Sequence, residues 1–326
     1  LGERAIDELD GMFALALWDQ HAGQLLLARD RAGKKPLFVW RDASRVVFGS
    51  EIKALAAHPG IRLDVDETAI PSYFLHGYVP HPQTYYRGVS QLEPGTLAVF
   101  DGTGRQQVRR YWQLSFPPAT ATAPAQGDGH AAAVKSVRDL VTDAVRRRLV
   151  SDVPLGAFLS GGLDSTIIVG IMSRLSATPV RTFSIGFDDD PAFDESAQAR
   201  ETARQFGTSH TEFRVRPSAI DLIDTLIYHH DGPFADSSAL PTYLVAKLTR
   251  EHVTVALTGD GGDEVFAGYL RFAAALAAET TPAWIAAPTA TTSSGFTPLC
   301  GSLPPVSSLT SSWIIGIRVE PPTRMM

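Results

Sequence analysis

Cysteine is almost missing from this chain of 326 residues: Cys300 is the only one, so no disulfide can form within it. That scarcity suits a reducing, cytoplasmic setting. Also lacking is any run of about 18 apolar residues, which argues against a membrane-spanning helix. The start shows no basic-then-apolar signal pattern, and it is not Met: Leu1-Gly2-Glu3-Arg4 reads as the interior of a longer chain. Basic charge is short as well. Lys and Arg number 29 against 35 Asp and Glu, a net −6, so no broad positive field awaits nucleic acid. Neither nucleic acid nor membrane is an expected partner. What remains is an ordinary globular composition, 44% apolar and 20% charged. The length suits about two domains at roughly 100–200 residues each.

The first hundred residues read as sheet. Met12–Asp19 and Gln24–Asp30 are strand-like runs around the turn His21-Ala22-Gly23. Leu37–Trp40, Arg45–Gly49 and Gly95–Phe100 add three more. From Pro117 to His130 the chain is Pro, Ala, Thr and Gly with almost no charge, a linker by composition. Beyond it the pattern alternates. Val134 to Leu149 recurs at helical spacing and ends on Arg146-Arg147-Arg148, where cations favour the helix dipole. Strands are expected at Val153–Leu159, Val180–Phe187, Thr211–Val215 and Val253–Leu257. Helices are expected at Thr166–Leu175, Asp194–Phe206, Pro217–His229 and Ala239–Glu251. This alternation predicts a mostly parallel sheet wound with helices, its ligand beyond the carboxyl ends of the strands. The expected domains are therefore 1–116, a linker 117–130, 131–273, and a tail 274–326 that is aberrant or disordered. From Thr281 onward its only charged residues are Arg318, Glu320 and Arg324.

Two glycine-rich loops carry the chemistry. Ser160-Gly161-Gly162-Leu163-Asp164-Ser165 follows an apolar strand and opens a helix. Its glycines let a ligand approach the backbone, and amides at a helix start suit phosphate. Ser160 and Ser165 add hydroxyls. Asp164 would repel bare phosphate and so implies a cation, Mg²⁺ being the usual partner of one or two carboxylates with phosphate oxygens. No Lys follows the glycines, so this is not a Walker loop. The bland alternative is a Gly-Gly turn capped by Asp164. Thr258-Gly259-Asp260-Gly261-Gly262-Asp263-Glu264 also ends an apolar strand and is otherwise an acidic surface turn. Two such loops on one parallel sheet would face the same edge, where Asp164 and Asp263 would share a Mg²⁺.

The first loop, with Val153–Leu159 before it, resembles the synthetase domain of glutamine-hydrolysing asparagine synthetases of the bacterial B type. Arg181–Phe187, Pro233–Ser238 with Pro241–Leu244, and Val255–Glu264 with Gly268-Tyr269 resemble further motifs of that family in the same order, the second of them its substrate-side segment. Asp10–Ala14, Arg29–Phe38 and Ser50–Leu55 are similar to the later half of its glutaminase domain. Arg29–Lys35 also reads as a charged hairpin tip. The resemblance implies a partial N-terminal-nucleophile (αββα) glutaminase domain, then a doubly wound parallel-sheet ATP-pyrophosphatase domain of the adenine nucleotide alpha hydrolase kind. It implies that Leu159 and Ile185 contact base or ribose, and that Ser160, Gly161, Gly162, Leu163, Asp164, Ser165, Thr258 and Gly259 line the ATP site. Asp164 and Asp263 would hold Mg²⁺ with pyrophosphate. Asp260 would serve formation of a β-aspartyl-AMP intermediate. The implied substrates are ATP, aspartate, and glutamine or ammonia, and a homodimer is compatible with the family.

The chain departs from this pattern at both ends. The family's nucleophile is a first-residue cysteine; here Leu1 stands first, and Cys300 lies in the tail. Glutamine hydrolysis is therefore expected to be absent. Relatives also carry a catalytic lysine beyond Gly268-Tyr269, and no lysine follows Tyr269 here, which points to a frame shift or misplaced gene boundary after about Phe272. Impaired synthesis is the expectation. The rival readings are another amide-forming synthetase on this scaffold, such as a β-lactam synthetase or a sugar amidotransferase, and a catalytically dead ATP-binding remnant.

Overall fold

The computed structural model describes residues 2–115, 128–187, 194–215, 219–280 and 316–318. Most of the expected linker and tail lie outside these residues. Contacts divide the chain into two compact units, Leu1–Gln113 with Ile185–Phe193 and Phe213–Leu248 forming the first and the remainder the second.

The first unit opens with a 3-10 turn, Gly2–Glu8, followed by β1 (Ala14–Asp19), β2 (Gln24–Arg29), β3 (Phe38–Arg41), β4 (Val46–Gly49), α1 (Ile52–Ala56), α2 (Ile70–His76), β5 (Val89–Gln91), β6 (Thr96–Phe100) and β7 (Gln106–Arg110). They make two antiparallel sheets, ordered β1-β2-β6-β7 and β4-β3-β5. Successive strand residues point to opposite faces, so a strand covered on both sides needs a continuous apolar run. The central strand β2, QLLLAR, meets that need. Leu27 joins Leu37, Val39, Leu92, Ala98 and Phe100 between the sheets, while Leu26 and Ala28 join Ile6, Leu97 and Val99 on the far side. Ile52 and Leu55 of α1 pack on Val89 and Ile61 across the second sheet. Each such fully buried Leu or Ile contributes about 1.5–3 kcal/mol. The result is a sheet-on-sheet sandwich with short helical cover on each outer face, the layering implied by the resemblance.

The later elements are α3 (Asp128–Arg148), β8 (Leu155–Phe158), α4 (Leu163–Leu175), β9 (Arg181–Phe187), α5 (Ser196–Phe206), β10 (Ser209–Val215), α6 (Ala219–His229), α7 (Ala239–Thr249), β11 (Val255–Leu257), α8 (Gly262–Phe266), α9 (Leu270–Thr280) and β12 (Gly316–Arg318). Their sheet runs β10-β9-β8-β11-β12. β8 lies parallel to both β9 and β11, and β12 pairs antiparallel with β11. In the second unit, Ala144 and Val145 of α3, Ile168, Val169 and Met172 of α4, and Ala199 and Ala203 of α5 share one buried cluster with Ala157 and Leu257 of the strands. From β8 the chain steps outward through β9 and β10, then returns to β8's other side as β11. That reversal is a topological switch point, and ligands in such sheets bind in the crevice it opens.

Three expectations need correction. Helix α4 begins at Leu163 rather than Thr166, because Gly162 is extended (φ −75°, ψ 160°) and turns straight into it. Asp128–His130, expected in the linker, already form the first turn of α3. The supposed hairpin tip at Arg29–Lys35 hides two of its charges. Arg29 is buried and donates to the carbonyls of Gly33, Lys35 and Leu92, while Asp30 is buried and accepts from backbone amides.

Candidate active site

Both glycine loops leave the carboxyl ends of adjacent parallel strands. Val255, Ala256 and Leu257 of β11 pair with Leu155, Gly156 and Ala157 of β8, so the loops after Leu159 and Leu257 emerge side by side. Their approach is close enough to demand glycine. A Cβ at Gly259 would stand 2.8 Å from the Cβ of Asp164 and the amide nitrogen of Ser165, and one at Gly262 would collide with the Asp164 carboxyl group. The second loop thus lies against the first at Asp164.

The first loop is braced from within. Ser165 is 7% exposed; its hydroxyl lies 2.9 Å from the Ser160 Oγ and donates to the Ser160 and Gly162 carbonyls at 3.2 Å. The Ser160 hydroxyl accepts from the Gly162 amide at 3.1 Å, and the Gly161 amide donates to Glu195 Oε2 at 3.0 Å. Two amides expected to face phosphate are thus held by side chains. No side chain caps the start of α4, and amides at such a start suit an anion. Leu163 is exposed there, whereas Leu159 is buried and donates its amide to the Phe183 carbonyl at 2.8 Å. Ile185 is half-buried on β9.

The acidic groups gather beside this brace. Burial, then the negative charges of Asp263 and Glu264, holds the Asp164 carboxyl above the ordinary carboxylate range. Asp260 is exposed, its Oδ2 accepting from the Thr258 hydroxyl at 2.9 Å while its amide donates back to that oxygen at 3.3 Å. Thr258 is 5% exposed, so a fixed hydroxyl sets the Asp260 carboxylate. Glu264 accepts from the Tyr269 hydroxyl at 2.9 Å. Among the described residues no cluster of three acidic, His or Cys side chains forms a metal cage. Mg²⁺ binds through one or two carboxylates with waters and phosphate oxygens, so the donor set at Asp164 and Asp263 fits it without a cage. A cavity of about 550 Å³ opens from Asp164 and Asp260 between α3, α4 and α8, walled by Val137, Val141, Ile167, Ile171, Val265 and Phe266.

Two participants escaped the sequence reading. Glu195 reaches Gly161 from the N-cap of α5, with no motif to announce it. His210 on β10 touches Thr182 Oγ1 through Nδ1 at 3.0 Å and Ser184 Oγ through Nε2 at 3.2 Å, pinning β9. Burial pushes this imidazole below its usual range, against the opposing pull of Glu212. The alternation of polar residues Thr182 and Ser184 on β9 was its available signal.

Residues 136–311 match the asparagine synthase family, and residues 1–112 match the glutamine amidotransferase domain family. The chain is 35% identical over 268 residues to asparagine synthetase [glutamine-hydrolyzing] 1 of Bacillus subtilis, spanning 82% of this chain and 41% of that protein. It is 33% identical over 283 residues to asparagine synthetase [glutamine-hydrolyzing] 3 of the same organism, spanning 82% and 45%. It is 29% identical over 294 residues to amidase chyE of Penicillium rubens, spanning 86% and 43%. The chain thus spans less than half the length of these relatives. No helix among the described residues is long and apolar enough to cross a membrane.

Proposed function

The chain belongs to the asparagine synthase family, and from that premise we propose that it carries the nucleotide loops of an enzyme that amidates aspartate to asparagine with ATP. The observation that carries the reading is the packing of Gly259 and Gly262 on Asp164 at the switch point between β8 and β11. In the reaction, an oxygen of the aspartate side-chain carboxylate attacks the α-phosphorus of ATP. The α–β phosphoanhydride breaks, pyrophosphate leaves and β-aspartyl-AMP forms. Ammonia, drawn from glutamine in the family, then attacks the acyl carbon, and the C–O bond to AMP breaks to give the amide.

The residues take roles by position and chemistry. The first-turn amides of α4, with Ser160, Gly161, Gly162 and Ser165 around them, receive the phosphates. Leu159, Ile185, Thr258 and Gly259 bound the nucleoside side, and Leu163 closes the loop. Asp164 and Asp263 hold Mg²⁺, which supplies charge neutralisation at the phosphates when bound. Asp260, fixed by Thr258, stands at the acyl-adenylate step. The reading extends to a cytoplasmic enzyme and to a homodimer, both from family resemblance; sedimentation of the 35.1 kDa chain tests the second.

Aspartate-dependent ATP–pyrophosphate exchange by the purified chain tests the proposal, with glutamate and other acids as comparisons. Weak exchange stimulated by aspartate is expected, in keeping with the impairment read from the missing lysine. Stimulation by a different acid would move the chain to another synthetase on this scaffold. Normal ATP binding without exchange for any acid would make it a dead remnant.

A further inference from the structure

Asp231 sits where α6 ends, immediately before the Pro233–Ser238 segment, and its backbone is left-handed (φ 56°). A non-glycine residue rarely adopts this conformation, and it persists only where surrounding contacts over-determine it. Those contacts are present. The Asp231 side chain is 8% exposed. Its Oδ2 accepts from the Ile52 amide at 2.8 Å, and its Oδ1 accepts from the Lys53 amide at 3.1 Å and the Lys53 ammonium at 3.2 Å. Lys53 also lies 5.1 Å over the ring of Tyr228, one turn back on α6. Two further bonds run beside this clamp: the Tyr85 hydroxyl donates to the Pro233 carbonyl, and the Ala235 amide donates to the Gly77 carbonyl at 2.9 Å.

All these residues lie in the first compact unit, yet the family matches assign them to different domains. Ile52 and Lys53 belong to the amidotransferase match; Asp231 and Pro233–Ser238 belong to the synthase match. Glu51, which precedes α1, offers it no side-chain cap, so the cap comes from a carboxylate 179 positions away. A charged acceptor buried against two amides and an ammonium is costly to leave unpaired on either side, so the two segments move together.

We infer that Asp231 is a positioning residue that couples the Pro233–Ser238 segment to the turn at Glu51–Lys53, so that occupancy of one is felt at the other. This rests on the proposed function and on the resemblance of Pro233–Ser238 to the family's substrate-side segment, taken as the side that meets aspartate. The test is amide hydrogen exchange of the purified chain, read at Ile52 and Lys53, in wild type, Asp231→Asn and Lys53→Gln. Asn tolerates the left-handed backbone; Asp231→Gly serves if it does not fold. Without ligands, exchange at Ile52 and Lys53 is expected to rise about tenfold in Asp231→Asn and less in Lys53→Gln, whose backbone caps survive. With Mg-ATP and aspartate, exchange in wild type should slow at both 233–238 and 52–53, but only at 233–238 in Asp231→Asn. Equal ligand-free exchange in wild type and variant overturns the clamp. A ligand response that still reaches 52–53 in the variant overturns the coupling. If ligands alter neither segment in wild type, the aspartate reading fails and the coupling drawn from it falls, while the ligand-free comparison still decides the clamp.

Discussion

Gly262 rests directly on the carboxyl group of Asp164, leaving no room for a side chain between the two glycine loops. An alanine methyl there would overlap the carboxyl carbon and stand 2.8 Å from Oδ1. Gly262 begins α8, where alanine is otherwise preferred by about 1 kcal/mol, so backbone propensity works against a loss. Overpacking costs about 1–3 kcal/mol and would push Asp164 aside. Gly262→Ala should therefore weaken Mg-ATP binding by about tenfold, a change of about 1.4 kcal/mol by titration calorimetry. Unchanged affinity would mean that the position of Asp164 is immaterial.

Asp164 itself should trade stability for function. Its carboxyl is held above the ordinary range by burial and by the charges of Asp263 and Glu264. A raised value means that the folded chain binds this proton more tightly than the unfolded chain. Its ionisation therefore costs stability as pH rises from about 3.9, the unfolded value, through the folded value. Above that window the cost is fully present. Asp164→Asn should melt above wild type near neutral pH, with the gap closing in acid. Mg²⁺ should narrow the neutral-pH gap by stabilising wild type alone. Melting curves across pH, with and without Mg²⁺, check this; a variant less stable than wild type at neutral pH contradicts it.

These loops were legible because glycine and aspartate at strand ends follow from local rules, and β8, β9 and β11 were legible as apolar runs. What escaped depends on distant partners. β5 is only three residues and β7, QQVRR, is too polar to announce a strand; each is recruited by a neighbour, β3 or β6. α1 is capped by Asp231, and Arg29 is solvated by the carbonyl of Leu92, 63 positions on. No window of local sequence holds both partners, so a buried charge looked like an exposed one. α8 was hidden for another reason, because its residues also spell the acidic glycine loop.

Thr258 tests how the Asp260 carboxylate is positioned. Its buried hydroxyl donates to the Asp260 carboxylate and accepts from the Asp260 amide. Thr258→Val keeps the shape and removes the hydroxyl, a loss of about 0.5–1.5 kcal/mol for such a bond. Pyrophosphate release should slow several-fold in kcat, and Thr258→Ser should restore it. If valine matches threonine in kcat, Asp260 is not positioned by this contact.

Asp30 holds together the loop that follows β2 in the first unit. It is 1% exposed, and its two oxygens accept from the amides of Ala32 at 3.1 Å, Lys34 and Lys35 at 2.9 Å, and Phe13 at 3.3 Å. Arg29 beside it is equally committed, and the Tyr111 hydroxyl donates to the Arg29 carbonyl at 2.7 Å. Asp30→Asn puts an N–H₂ where an acceptor stood, so at least one buried amide loses its partner at a cost of about 1–3 kcal/mol. Asp30→Ala removes the acceptor of all four amides and should cost more than the Asn variant. Denaturant unfolding followed by tryptophan fluorescence reads both, since Trp18 and Trp40 lie in this unit. The order wild type, Asn, Ala must hold. An alanine variant as stable as wild type would show that the loop from Arg29 to Phe38 is shaped by packing alone, with its buried charges carried along.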